Sequence, residues 1–100
     1  MNKIPDWLKL ALSDGLIGEI YPAIRAVAVQ LNDQELIIRY YLDRAPEEFD
    51  FDSLKTVCTN LYSATSEKVP QIKIEATHGV GPWKDEDALD GFVYVRREYE

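Results

Sequence analysis

The sequence predicts an α+β domain in the order helix, strand, strand, helix, strand, strand: a four-stranded, largely antiparallel sheet with both helices packed on one face. Three observations predict it. Apolar residues recur at three- and four-residue steps in two segments, they alternate in four others, and turn-forming residues separate the segments. At 100 residues the chain fits one domain, residues 1–100, and a 46% apolar composition supplies a core that needs no covalent staples.

The first helix is read from Pro5, which suits a first helical turn, with Trp7, Leu8, Ala11, Leu12, Ile17 and Ile20 on its apolar stripe. Trp7 is expected in the core. Asp14 and Gly15 are expected to break or kink this helix. Ile24 to Leu31 and Glu35 to Leu42 are rich in Val, Ile and Tyr and flank Asn32-Asp33-Gln34, so they read as a hairpin. Strict alternation puts Arg25, Val27, Val29 and Leu31 on one face and Ile24, Ala26, Ala28 and Gln30 on the other. In the second strand Leu36, Ile38, Tyr40 and Leu42 oppose Ile37, Arg39 and Tyr41, and the latter face reads as partly solvated.

Pro46, Glu47 and Glu48 open a second helix that runs to about Glu67. Leu54, Val57, Cys58, Leu61 and Tyr62 form its stripe, Phe49 and Phe51 either extend that stripe or pack at its start, and Asp50 or Asp52 is the N-cap. Pro70 closes the segment. Gln71 to Thr77 alternates as a half-buried strand. Gly79, Gly81 and Pro82 begin a loop through Asp90, and Gly91 to Tyr99 is the last strand. The order of strands in the sheet is left open.

Composition excludes several function classes. Eighteen acidic against eleven basic residues give a net charge of −7, the wrong sign for a surface that neutralises phosphates, so direct nucleic-acid binding is not expected. A basic protein is the better partner, because opposite fields speed association. No apolar run approaches the ~20 residues that cross a bilayer, so no membrane span is expected. The start of the chain meets Pro5 and Asp6 before a signal-peptide core develops, and Cys58 is the only cysteine; both suit a reducing cytoplasm.

Catalysis finds no support. Cys58 lies on a helix's apolar stripe, where thiols are ordinarily inert, and His78 is the only histidine. One His and one Cys make no zinc site. A calcium loop starting at Asp85 would need its glycine at Asp90 and its bidentate glutamate at Arg96, so the spacing fails. Gly79 and Gly81 precede no helix and no Lys-Ser/Thr pair, which removes the phosphate-loop reading. No cofactor and no metal are expected, and the chain is read as a non-enzyme.

Charge distribution remains. Asp43, Glu47, Glu48, Asp50 and Asp52 cluster around the start of the second helix, where capping and the helix dipole account for several of them. Asp85, Glu86, Asp87 and Asp90 form a second cluster without that explanation, beside Trp83, an aromatic of the kind enriched at binding hot spots. The candidate partner-binding residues are therefore Trp83, Asp85, Glu86, Asp87, Asp90, Glu47, Glu48, Asp50 and Asp52. Replacing the four loop acids with Ser is expected to leave the fold intact and to weaken partner binding.

Residues 35–43 (ELIIRYYLD), Pro46–Glu48 and 89–98 (LDGFVYVRRE) resemble immunity proteins of bacterial polymorphic toxin and contact-dependent growth inhibition systems. That family pairs an LRFY-D-P hairpin strand and an acidic helix with a closing GWVYxRRE strand; here Phe92 takes the place of its Trp. The resemblance spans roughly residues 25 to 98, in short pieces. It implies a cytoplasmic antidote that binds the C-terminal domain of one cognate toxin, often a basic nuclease, in a stoichiometric complex. The alternative is an adaptor or regulatory module that binds another cytosolic protein. Oligomeric state is left open.

Overall fold

The computed structural model describes residues 4–16, 18–32, 34–65 and 71–96, with the side chains of residues 63–65 and Asp85 left aside. The elements follow the expected order: α1 (Asp6–Leu16), β1 (Ile24–Leu31), β2 (Glu35–Leu42), α2 (Glu48–Thr65), β3 (Gln71–His78), a 3-10 turn (Asp85–Ala88) and β4 (Gly91–Val95). The strand order is β3-β2-β1-β4. β1 pairs antiparallel with β2 and β4, while β3 pairs in parallel with β2. That parallel pair follows from α2, whose length carries the chain back to the starting end of β2, as a crossover requires. The expected continuations of α2 to Glu67 and of β4 to Tyr99 fall outside the described residues.

Both helices lie on one face of the sheet. Leu8, Leu12, Leu54, Val57 and Leu61 meet Ile24, Val27, Val29, Leu36, Ile38, Tyr40 and Leu42 in a buried core. α1 runs through Asp14 and Gly15 without the expected break. Gly15 is buried there because it faces α2: a Cβ would stand 3.6 Å from the Val57 carbonyl oxygen, and Asn60 Nδ2 donates to the Gly15 carbonyl at 3.3 Å. Ile17 lies outside the described residues, and Trp7 is only half-buried against the core.

A register shift between Ile24 and Ala26 changes the predicted faces of β1. The bulge inserts Arg25, so Ile24 and Val27 both reach the helix-covered core, while Ala26 and Ala28 turn to the other face. There a second, smaller cluster forms from Ala26, Ala28 and Tyr41, covered by Trp83, Leu89 and Phe92. The methyl side chains of the two alanines leave room for the rings above them. Tyr41, expected on a solvated face, is therefore only 4% exposed.

Candidate functional site

The first acidic cluster divides into scaffold and surface. α2 begins at Glu48, so Asp50 is not its N-cap; it lies in the first turn and its carboxylate reaches back to accept the Glu47 backbone N–H at 2.7 Å. The same carboxylate receives two hydrogen bonds from Arg44, at 2.7 and 2.9 Å, and one from the Tyr21 hydroxyl. Asp50 exposes no surface at all. Burial alone would raise its pKa, but the bonds from Arg44, Tyr21 and the Glu47 backbone outweigh that and hold the carboxyl below the usual carboxylate range. The Tyr21 hydroxyl is pushed well above its ordinary value by burial and by that carboxylate.

Glu47, Glu48 and Asp52 remain exposed around this buried knot, Glu47 lying 3.7 Å from Arg44. Phe49 stands among them 60% exposed, its ring edge-on to Tyr21 at 4.9 Å. The buried stripe of α2 starts later than expected, with Phe51 half-buried and Leu54 fully buried. Phe49 is the surface residue that sequence reasoning missed, although its helical neighbours Asp52 and Ser53 are polar.

The second cluster is bound into the fold. Trp83 packs edge-on against Tyr41 at 5.1 Å and tilted against Phe92 at 5.4 Å, and the Arg25 guanidinium lies 4.4 Å from its ring centroid. Arg25 also donates to the carbonyls of Gly79 at 2.6 Å and Gly81 at 3.3 Å, clamping the start of the loop. Gly79 permits the close approach, because a Cβ there would sit 3.3 Å from the Trp83 ring and 3.1 Å from Tyr41 Cβ. Asp87 accepts the Lys84 backbone N–H at 2.8 Å through its side chain and the Tyr41 hydroxyl at 2.8 Å through its carbonyl. Asp90 accepts the Leu31 backbone N–H at 2.9 Å. Asp85 opens the 3-10 turn, with its side chain outside the described residues, and Glu86 is exposed.

Asp87 and Asp90 thus hold the loop through hydrogen bonds as well as carrying charge, while Glu86 faces outward. The useful sequence signal was the pair Ala26 and Ala28, small residues on a strand face that a solvated sheet would fill with polar ones. The two clusters also lie on opposite faces of the sheet, one at the start of α2 and one over β1 and β4.

Cys58 is half-buried in α2, and burial pushes its thiol up, away from the thiolate that nucleophilic chemistry needs. His78 is exposed at the end of β3. Among the described residues, no group of His, Cys, Asp or Glu side chains is placed to hold a metal ion, and no helix is long and apolar enough to cross a membrane. What the described surface offers is carboxylates around an aromatic, an arrangement suited to recognition.

No curated protein matches the chain. The family model of the MafI2 immunity protein matches residues 5–98, taking in both helices, all four strands and both acidic clusters, and the chain therefore belongs to the MafI2 immunity protein family.

Proposed function

We propose that the chain neutralises one cognate toxin by binding it in a tight stoichiometric complex, without chemistry of its own. Membership of an immunity protein family carries this reading. The net charge of −7 supports a basic toxin domain, and a nuclease is the toxin class whose substrate-binding surface must be basic. In this reading carboxylates of the immunity protein take the place of substrate phosphates, and the complex forms in the cytoplasm.

The surface proposed for first contact is the start of α2. Glu47, Glu48 and Asp52 form a charged rim around exposed Phe49, and buried Asp50 fixes the turn that presents them. An aromatic anchor within a polar rim is the anatomy of a binding hot spot. Glu86, on the opposite face, extends the contact if the toxin wraps an edge of the sheet; Asp87, Asp90 and Trp83 contribute by keeping that loop in place.

The test is co-expression of this chain with the toxin domain encoded beside it, scored by survival and by copurification at one-to-one stoichiometry. Rescue is expected. Phe49→Ala combined with Glu47→Lys and Glu48→Lys is expected to abolish rescue while the variant stays folded. Toxicity that this chain does not relieve removes the pairing, and full rescue by the triple variant moves the interface elsewhere.

A further inference from the structure

β3 is an edge strand of eight residues, with no proline and no register shift along its pairing with β2. Among the described residues no strand lies beyond it. Such an edge offers a row of backbone donors and acceptors to another strand. Which groups it offers follows from one bond: the Gly79 N–H donates to the Leu42 carbonyl at 2.8 Å, so Gly79 points towards β2. Backbone groups alternate sides along a strand, and therefore Thr77, Glu75 and Lys73 also bond to β2. Ile72, Ile74 and Ala76 direct their N–H and C=O groups outwards.

We propose that β3 pairs antiparallel with β3 of a second copy, about a two-fold axis through Ile74, joining the two four-stranded sheets into one. The inference goes beyond toxin binding and does not depend on it. Two strands related by a two-fold must centre on a residue, because paired side chains have to share a face. Centred on Ile74, the outward groups of Ile72, Ile74 and Ala76 meet those of Ala76, Ile74 and Ile72 in the second copy as hydrogen-bonded pairs. Lys73 then stands opposite Glu75, and Glu75 opposite Lys73, at the positions where side chains approach most closely. Shifting the axis to Lys73 or to Glu75 sets like charges against each other.

The charges are prepared for this register. Glu75 gives Oε1 to Arg39 at 2.7 Å, while its Oε2 lies 3.6 Å from the exposed Lys73 of its own strand. In the pair, Oε2 takes Lys73 of the second copy instead. On the helix side, Ile72, Ile74 and Ala76 continue the apolar layer across the seam, and the second copy covers an open hollow along this edge lined by Arg39, Phe51, Glu75, Ala76 and Thr77. The axis is normal to the sheet, so both helix layers stay on one face.

Sedimentation equilibrium of the full chain, from micromolar to millimolar concentration, tests the proposal. The expected result is a dimer of the 11.5 kDa chain, with Lys73→Glu weakening self-association on the order of tenfold, because two attractive pairs become repulsive. An equimolar mixture of Lys73→Glu and Glu75→Lys restores the pairs and is expected to dimerise. Hydrogen exchange on the unaltered chain gives a reading free of variants: the outward amides of Ile72, Ile74 and Ala76 become protected as concentration rises, while those of Lys73 and Glu75 are protected throughout. A monomer at every concentration, or a Lys73→Glu dimer of unchanged strength, overturns the proposal. Protection of the outward amides only when the toxin domain is added also overturns it, and gives the edge to a strand of the toxin.

Discussion

The carboxylate of Asp50 collects hydrogen bonds from Arg44, Tyr21 and the Glu47 backbone while presenting no surface, so its charge stabilises the fold and not a complex. Asp50→Ala leaves the Tyr21 hydroxyl and the first turn of α2 without an acceptor, and is expected to cost about 3 kcal/mol in urea unfolding at neutral pH. The pH dependence has a definite sign. Because the folded carboxyl titrates below its unfolded counterpart, its contribution is complete above about pH 4 and is lost as pH falls through the folded value. Unfolding of the parent and of Asp50→Ala should therefore converge on acidification. A difference that persists at low pH would show that packing, not charge, dominates at this position. Tyr40 behaves oppositely: burial pushes its hydroxyl up to about 12, and the resulting stability is present below the ordinary tyrosine range and fades only in strong alkali.

The loop between β3 and β4 acts as a small third layer of the fold. Trp83 at its start is held by Arg25, Tyr41 and Phe92, and Asp90 at its end is held by the Leu31 amide. Asp90→Ala is expected to cost about 1 kcal/mol and Trp83→Ala about 2 kcal/mol, the second with faster amide exchange along β1 and β4 as the cover over Ala26 and Ala28 is lost. If either variant unfolds like the parent and loses only toxin binding, the loop is an interface and not a layer. The same loop shows where sequence reasoning ends. Periodicity located both helices and all four strands, because each buries one face and the spacing of apolar residues records it. It did not show the bulge at Arg25, since one inserted residue leaves composition unchanged while exchanging the faces of Ile24 and Arg25. It also read the acids at 87 and 90 as surface, because a side chain's partner across the sheet leaves no mark in the local sequence.

At the scale of the molecule, the arithmetic of charge was legible from composition, and its arrangement was not. The structure ties three arginines into ion pairs, Arg39 with Glu75, Arg44 with Asp50 and Arg96 with Asp43, and lays Arg25 over Trp83. These four arginines are thus engaged within the fold, and Glu47, Glu48, Asp52 and Glu86 face outward. A basic partner approaching at random meets a negative field before it meets any specific contact, which accelerates encounter without deciding how long the complex lasts. Stopped-flow association with the toxin domain is therefore expected to slow on the order of tenfold or more from low to high ionic strength, with the dissociation rate nearly unchanged. Glu47→Gln with Glu48→Gln should flatten that dependence, and Phe49→Ala should instead speed dissociation, because an aromatic anchor acts after contact is made. An association rate indifferent to salt would place recognition in Phe49 and the shape around it, and would reduce the carboxylates to keeping the free protein soluble.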